Sequence, residues 1–185
     1  MRILETKRLI LRTWEACDID TMFAVDCDPK VREYLPGVAT LEATAINIQR
    51  FIKHQQDLGY SLYAVELKST YEMIGFLGLM TPSFDAHFTP AIEIGWRLAS
   101  SHWNQGYATE GAKAVLLYAF TELGLDEVVS FTAVNNIASR KVMEKIGLKH
   151  NSTDDFDHPK LANDSPLLRH VLYRLIKSNF FTLCS

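Results

Sequence analysis

A carboxylate and a glycine-containing loop lie close together in the middle of this 185-residue sequence. Glu93 stands among apolar residues in AIEIGWRLA, a segment typical of a strand, and Gly106 lies in the loop that follows. A carboxylate in such a strand can act as a general base if burial raises its pKa toward neutrality. The alternative, a solvent-facing glutamate on an alternating strand, stays open at this point.

The loop around Gly106 precedes an apolar periodicity that predicts a helix over residues 110–123. The first turn of a helix leaves N–H groups without internal acceptors, and the helix dipole favours negative charge there. Gly106 lets the backbone approach a ligand closely, so the loop suits a phosphate. An ordinary turn into a surface helix is the simpler alternative. The sequence contains neither GxxxxGK[ST] nor GxGxxG, which excludes the familiar nucleotide-binding loops.

A second group of candidate residues occurs in VNNIASRKVMEKIGL. Asn136, Ser139 and Met143 have the spacing of one helix face, so they can approach a common ligand. Asn136 is equally typical of a helix N-cap, and Ser139 of a neutral surface position.

The composition of the chain limits the class of protein to which these residues can belong. Apolar residues make up 48% of the chain and charged residues 22%, with a net charge of −3, which predicts one globular domain over residues 1–185. A mildly acidic chain is not expected to bind nucleic acid generally, and its apolar runs are too short to cross a membrane. Cys17, Cys27 and Cys184 form no CxxC pair, which predicts reduced thiols that are buried or half-buried as small apolar residues, in a cytoplasmic protein. The histidines lack metal-ligand spacing, so no metal is expected.

The elements that must position these residues alternate between strand and helix. We predict strands in the second half of 4–12 and over 61–68, 71–80, 91–99, 127–134 and 170–176. Helices are predicted after Asp18 as N-cap, over 41–58 between Thr40 and Gly59, and over 136–145, besides the one above. This order is typical of a mixed sheet with helices, in an α/β or α+β fold.

In this order, the glycine loop with its helix, the core strand and NxxSxxVMEKxGL resemble the GNAT-type N-acetyltransferases. They most resemble the branch that includes the ribosomal-protein N-terminal acetyltransferases. The matching segments are ETKRLILRTW, EIGWRL, WNQGYATEG and NIASRKVMEKIGL, and the tail FDHPKLANDSPLLRHVLYRL is similar to a subgroup of that branch. The resemblance covers essentially the whole chain. It implies an α+β fold with a mixed, mostly antiparallel central sheet flanked by helices, and acetyl-CoA as co-substrate.

The resemblance also implies where acetyl-CoA binds, in a V-shaped opening between the strand ending at Ala99 and the strand ending at Val134. Backbone groups of Trp96, Arg97 and Leu98 would hold the pantetheine arm. The side chains of Asn136 and Ser139 would contact the cofactor arm. The pyrophosphate would be held by the amides of the loop residues Asn104, Gln105, Gly106, Tyr107, Ala108 and Thr109.

Catalytic roles follow from the same resemblance. Glu93 occupies the position where some relatives keep a catalytic glutamate, and the amide near Leu98 would stabilise the oxyanion. Many relatives place a tyrosine, the proton donor to the leaving thiolate, where Met143 stands, and methionine cannot donate. The thiolate would leave unassisted, given a free-thiol pKa of ~8.5, or receive a proton from Ser139 or water. Trp103 replaces a glutamine or arginine common elsewhere in the family.

The resemblance implies that the acceptor is a primary amine, either a protein N-terminus or a small amine such as a polyamine, amino acid or antibiotic. Tyr34, His158 and His170 are the candidate acceptor-binding residues, with packing roles as the alternative. The acidic run at 154–157 would favour a cationic amine. A non-catalytic acyl-CoA-binding or interaction module of the same fold is the second functional hypothesis, and an unrelated α+β binding domain the third. The protein would be a monomer or a homodimer, its apolar tail NFFTLC pairing with another subunit or finishing the sheet.

Overall fold

The computed structural model describes residues 1–184, with side chains as far as Thr182. Strands and helices alternate along this range, as the sequence predicts. The strands are β1 Arg2–Glu5, β2 Leu9–Arg12, β3 Leu62–Leu67, β4 Met73–Met80, β5 Glu93–Leu98, β6 Glu127–Ala133, β7 Lys149–His150, β8 Phe156–Asp157 and β9 Arg169–Ile176. The helices are α1 Asp18–Cys27, α2 Pro29–Arg32, α3 Leu41–Leu58, α4 Tyr107–Thr121, α5 Ile137–Lys145 and α6 Lys177–Cys184, with 3-10 turns at Ser100–His102 and Ser152–Asp154.

The chain forms two compact units. The first contains residues 1–80 and 95–115, and the second contains residues 81–94 and the chain from Leu116 onward. In the first unit, β1, β2, β3 and β4 pair in that order, each antiparallel to the next. β4 is buried along its whole length, which agrees with its unbroken apolar sequence MIGFLGLM.

The core of the first unit is built around three aromatic rings. Trp14, Phe51 and Phe76 pack with ring centroids 5.5–6.5 Å apart, in the tilted arrangements that aromatic pairs prefer. The indole N–H of Trp14 donates to the Leu62 carbonyl at 2.8 Å, so the buried ring leaves no polar atom unpaired.

The ends of α3 lie where the sequence predicts them. The Thr40 hydroxyl accepts from the Ala43 amide, and Gly59 ends the helix in the left-handed conformation. The prediction that Asp18 caps α1 is wrong, because Cys17 occupies the N-cap position. Asp18 is instead the first helical residue, and its carboxylate binds the Arg12 guanidinium through two contacts of 2.7 and 2.9 Å.

The second unit is organised around β6 and β9, which pair antiparallel along all of β6. β7 and β8 add antiparallel to β9, and the start of β5 pairs parallel to β6, with Glu93 opposite Val129. The buried hydroxyl of Ser130 donates to the Ile94 carbonyl at 2.8 Å beside that pair. One parallel pairing among antiparallel ones confirms the predicted class, an α+β fold with a mixed, mostly antiparallel sheet.

Two segments differ from their prediction. Helix α4 begins at Tyr107, before the predicted residue 110, so part of the expected loop is already helical. The apolar tail forms helix α6 and does not extend the sheet, because Phe180 is buried with its ring 5.1 Å from that of Phe120. No alternation of apolar and polar residues marks this tail, so a strand had little support in the sequence.

Cys17 and Cys27 are free and exposed, so the prediction that they are buried or half-buried is wrong. Cys184 lies outside the described side chains. Over the described residues, none of the helices combines the length and apolar character that a membrane span requires.

Candidate active site

A tryptophan anchors the loop between β5 and α4. The half-buried Trp103 packs against the core of the first unit, and its indole N–H donates to the Leu98 carbonyl at 2.8 Å. The residue that replaces the polar side chain of other relatives therefore has a structural role here. It ties the loop to the last residue of β5.

The backbone of residues 104–109, called the phosphate loop below, has the geometry of an anion site. Asn104 and Gly106 both have positive φ, of 60° and 82°, and backbone that enters this region forms concave arrays of N–H groups that bind anions. Glu110 donates the first bond of α4, to the Gly106 carbonyl at 2.9 Å. The amides of Tyr107, Ala108 and Thr109 therefore have no acceptor within the helix. This arrangement fits a phosphate or pyrophosphate group.

Two residues before β2 hold this loop in place. The carboxylate of Glu110 accepts from the Thr6 hydroxyl at 2.6 Å, from the Arg8 amide at 2.8 Å and from Arg8 Nε at 2.6 Å. Arg8 Nη1 also donates to the Gln105 carbonyl at 2.9 Å, and the guanidinium lies 4.4 Å from the centroid of the Tyr107 ring. Burial opposes ionisation of Glu110, but the bonds from Thr6 and Arg8 outweigh it, so the pKa of this carboxyl lies below its ordinary value.

Sequence reasoning missed this network. An acidic residue in the first turn of a helix is ordinary, since the helix dipole favours it. Arg8 and Glu110 are 102 positions apart, and no spacing pattern connects them.

The three residues predicted to hold the pantetheine arm direct their backbone groups to two different edges of β5. The Ala99 amide donates to the Ile74 carbonyl, and the Arg97 carbonyl points at Gly75, both on β4. Because successive residues of a strand face opposite edges, the backbone groups of Trp96 and Leu98 face the edge away from β4. The Leu98 carbonyl already accepts from Trp103, which leaves its amide on that edge.

The side chain of Arg97 has a separate role. Its guanidinium donates to Asp26 at 2.6 Å and lies 5.1 Å from the centroid of the Phe76 ring. Asp26 also accepts from the Thr44 hydroxyl, and both of these residues are buried. Arg97 therefore links β5 to helices α1 and α3.

Glu93 is half-buried at the start of β5, opposite Val129 of β6. It is neither a fully solvated residue of an alternating strand nor a core residue. Ile94, the next residue, is fully buried and holds the strand through its bond from Ser130.

The first turn of α5 contains the two polar residues predicted to face the cofactor. Asn136 is the N-cap, since its side-chain oxygen accepts from the Ser139 amide at 3.2 Å. Its amide nitrogen donates to the Thr132 hydroxyl at 3.0 Å, so both ends of the side chain are engaged locally. The capping interpretation of Asn136 is thus confirmed. Ser139 is half-buried, and over the described residues its hydroxyl has no hydrogen-bond partner.

Met143 shares a helix with these residues but is 1% exposed. Its side chain packs in the interior, so the proton donor that many relatives place here has no counterpart at this position. The nearby Tyr173 is also buried, with its hydroxyl 3.0 Å from Glu144, and burial first of all raises its pKa.

His158 and His170, two of the predicted acceptor-binding residues, lie together in the second unit. Their ring centroids are 4.9 Å apart, and both rings are half-buried. The rings surrounding them belong to Phe84, Phe131 and Phe156. Tyr34, the third candidate, is half-buried in the first unit, and a hydrogen bond with Glu33 is the main cause of its raised pKa.

The acidic run at 154–157 is engaged by basic side chains of its own unit. Asp154 pairs with Arg174 at 2.8 Å, and Asp155 lies 2.7 Å from His150. Asp157 pairs with Arg169 at 3.2 Å. These contacts weaken the expectation that the run attracts a cationic amine, because each carboxylate already has a basic partner.

Comparison with known proteins places this geometry in a family. The family model of the acetyltransferase (GNAT) domain matches residues 8–149. An uncharacterised N-acetyltransferase of Bacillus subtilis, YnaD, is 31% identical over 147 residues, which are 79% of this chain and 82% of that protein. The crystal structure of an acetyltransferase from Agrobacterium tumefaciens has a TM-score of 0.76 at 27% identity, with 95% of this chain and 94% of that chain covered.

The same fold occurs in RimL, the ribosomal L7/L12 alpha-N-protein acetyltransferase solved in complex with coenzyme A. Its TM-score is 0.75 at 19% identity, with 95% of this chain and 98% of that chain covered. The chain therefore belongs to the GNAT family of acetyltransferases. It is an acyltransferase that depends on acetyl-CoA, as the motifs in its sequence predict.

Proposed function

We propose that this protein, as a single N-acetyltransferase domain, transfers the acetyl group of acetyl-CoA to a primary amine by direct attack in a ternary complex. The observation that carries the proposal is the phosphate loop, whose free amides and left-handed residues suit a pyrophosphate. Acetyl-CoA supplies the activated acetyl group as a thioester. The remaining requirements are met by residues of the chain.

The amides of the phosphate loop would bind the pyrophosphate. The backbone groups of Trp96 and Leu98 would bind the pantetheine arm. The orientation of these groups, away from β4, supports this assignment. The Leu98 amide would donate to the acetyl oxygen as charge develops on it. Asn136 and Ser139 would contact the cofactor arm, Asn136 through the N–H that its cap and its bond to Thr132 do not use.

Glu93 is proposed as the general base. The acceptor nitrogen forms a bond to the acetyl carbon, the carbon–sulfur bond breaks, and the proton of the amine passes to Glu93 directly or through water. A lysine side chain has a reference pKa of ~10.4 and an α-amine of ~8, so either acceptor must lose a proton to attack. The half-buried position of Glu93 supports this role.

The leaving thiolate takes a proton from Ser139 or water, or leaves unassisted. The hydroxyl of Ser139, which has no partner over the described residues, supports Ser139 as the proton donor. The interior position of Met143 excludes that residue as the donor. The acceptor is a peptide N-terminus or a small amine bound near His158, His170 and Tyr34.

Continuous detection of free CoA thiol with a panel of N-terminal peptides, polyamines and aminoglycosides tests the proposal. We expect Glu93→Gln to lower kcat, with the loss partly recovered at high pH, where more of the amine is already deprotonated. The matched control is Glu122→Gln, an exposed glutamate of the same unit, which should leave kcat unchanged. Tight acetyl-CoA binding without turnover of any amine would overturn the proposal. An unaltered pH–rate profile in Glu93→Gln would remove Glu93 as the base.

A further inference from the structure

Four half-buried aromatic side chains form one surface in the second unit, called the aromatic wall below: Phe84, Phe131, His158 and His170. The Phe84 ring centroid lies 5.6 Å from that of Phe131 and 4.6 Å from that of His158. The His170 centroid lies 6.2 Å from that of Phe131 and 4.9 Å from that of His158. The buried ring of Phe156 packs against all four, at 5.6–6.2 Å. The partly exposed rings therefore adjoin one another over a buried aromatic floor.

The aromatic wall and the proposed base, Glu93, lie on the same face of the sheet. Paired residues of neighbouring strands point their side chains to one face, and so do residues two apart on one strand. Glu93 pairs with Val129, and Phe131 lies two residues further along β6. On β9, His170 pairs with Ala133, which lies two residues beyond Phe131. All of these side chains thus share one face.

Side-chain packing agrees with this register. Val129, the partner of Glu93, belongs to the buried apolar cluster that contains Phe156. Ala91, two residues before Glu93, packs against the same cluster, as does Phe131 of the wall. Glu93 therefore stands at the border of the cluster. An amine that reaches its carboxylate has aromatic surface beside it.

The rings of the wall are uncharged near neutral pH. Burial is the main cause that lowers the pKa of both histidines, that of His170 to about 4. The charged side chain that acts on His158 is a cation, Lys160, whose Nζ lies 2.8 Å from the Ser83 hydroxyl and which lowers the pKa of His158 further. An apolar group gains free energy by leaving water on such a surface, whereas a second cation on the acceptor gains little.

We propose that the aromatic wall binds an aromatic side group of the acceptor, next to the amine that receives the acetyl group. Such a group is found in a small aromatic amine or in a peptide whose first residue is aromatic. A ring is favoured over an aliphatic group, because edge-to-face and offset contacts add to the area buried. The inference rests on the proposed function, since it names the acceptor class of the same reaction.

The test compares phenylalaninamide with alaninamide and lysinamide, which share the same type of α-amine and differ in the side group. We expect the wild-type protein to prefer phenylalaninamide over each of the others by about tenfold in kcat/KM, the effect of burying roughly half of a phenyl ring. The peptides Phe-Ala-Ala and Ala-Ala-Ala form a second pair. A preference confined to the peptides supports a peptide as the source of the ring, and one confined to the amides supports a small amine. Its absence from both pairs would overturn the proposal.

Variants of Phe84 test the wall itself, because this residue lies outside the strands and helices. Phe84→Ala should reduce the preference for phenylalaninamide to below about threefold, mainly through a higher KM. Phe84→Tyr keeps the ring and should keep the preference. Phe84→Asp places a carboxylate on the wall and should turn the preference toward lysinamide. A purely structural role of Phe84 would instead lower kcat/KM for all acceptors by the same factor.

Phe181→Ala is the matched control, since Phe181 belongs to the same unit, lies on α6 and is 39% exposed. It should leave the preference unchanged, and thermal unfolding should confirm that every variant is folded. An undiminished preference in Phe84→Ala, or faster turnover of lysinamide than of phenylalaninamide by the wild type, would overturn the proposal. So would a change in sedimentation of Phe84→Ala without a change in preference, because a second copy of the chain would then cover the wall.

A binding measurement separates this proposal from the proposed function. In calorimetry of the CoA complex, phenylalaninamide should bind about tenfold more tightly than alaninamide, and Phe84→Ala should remove the difference. If no amine releases CoA but this difference is found, the acetyltransferase proposal fails and the aromatic wall stands as a binding site. If CoA is released equally fast with and without a ring on the acceptor, the wall is refuted and the acetyltransferase proposal stands.

Discussion

Removing the Glu110 carboxylate should loosen the phosphate loop. In Glu110→Ala the Thr6 hydroxyl and the Arg8 amide lose an acceptor, at 2.6 and 2.8 Å in the wild type. Each such bond contributes about 1 kcal/mol. The ion pair with Arg8 adds about 0.5 kcal/mol, because the guanidinium is 40% exposed and its charge is screened. The sum is about 2–3 kcal/mol of unfolding free energy, or ~5–10 °C in Tm for a chain of this size.

The same change should weaken acetyl-CoA binding. Without Glu110, Arg8 is no longer held where Nη1 reaches the Gln105 carbonyl, and the loop must be ordered when the cofactor binds. Ordering one residue costs about 1–2 kcal/mol, which corresponds to roughly a tenfold loss of affinity. Titration calorimetry with acetyl-CoA and denaturant unfolding measure the two effects separately.

Two further variants make the Glu110 prediction decisive. Glu110→Gln keeps a side-chain oxygen for Thr6 and the Arg8 amide, so it should lose only about 1 kcal/mol. Asp57→Ala removes an exposed ion pair with Lys53, in which the Asp57 side chain is 52% exposed and the Lys53 side chain 73% exposed. This variant should change Tm very little. The reasoning is refuted if Glu110→Ala is no less stable than Asp57→Ala. It is also refuted if stability falls with no change in acetyl-CoA affinity.

Three other changes have defined outcomes in urea unfolding. Gly75→Ala should cost at least about 3 kcal/mol, because the added β-carbon would lie 2.1 Å from the Arg97 carbonyl oxygen on the strand predicted to hold the cofactor. Asp18→Ala should cost about 3 kcal/mol, since it leaves the nearly buried Arg12 without the partner that mainly raises its pKa. The pKa of His170 lies near 4 in the folded state against 6.5 in the unfolded chain, so the unfolded chain takes up the proton first. Stability should therefore fall by ~2–3 kcal/mol as the pH drops from about 6.5 to about 4, and His170→Asn should remove this part of the loss.

Each of these outcomes has a clear contradiction. A stable Gly75→Ala protein would mean that β5 can move away from β4 at little cost. An Asp18→Ala loss below about 1 kcal/mol would mean that Glu66, the other carboxylate on Arg12, compensates for the missing one. An acid profile identical in wild type and His170→Asn would mean that His170 titrates normally in the folded state.

The sequence predicted most of the structural features that depend on interactions between residues close in the chain. The Thr40 cap, the Gly59 stop and the apolar strands β3 and β4 depend on neighbours within a few residues, and they lie where expected. The α4 start was misplaced because the first turn of a helix has no apolar periodicity of its own. Asp18 was misassigned because a capping aspartate and an ion-paired aspartate have the same local sequence, and only Arg12 distinguishes them.

The sequence alone determined the family, the α+β class and the presence of a loop suited to phosphate, because each depends on residue types in a fixed order. Only the tertiary structure decided which side chains meet across the chain. The brace from Arg8 to Glu110, the burial of Met143 and the engaged carboxylates of the acidic run all join residues brought together by sheet register and helix packing. The rings of His158 and His170, with centroids 4.9 Å apart, also come together only after folding. The charge of −3 is a sum over the sequence, whereas the field that an acceptor meets depends on which carboxylates remain unpaired.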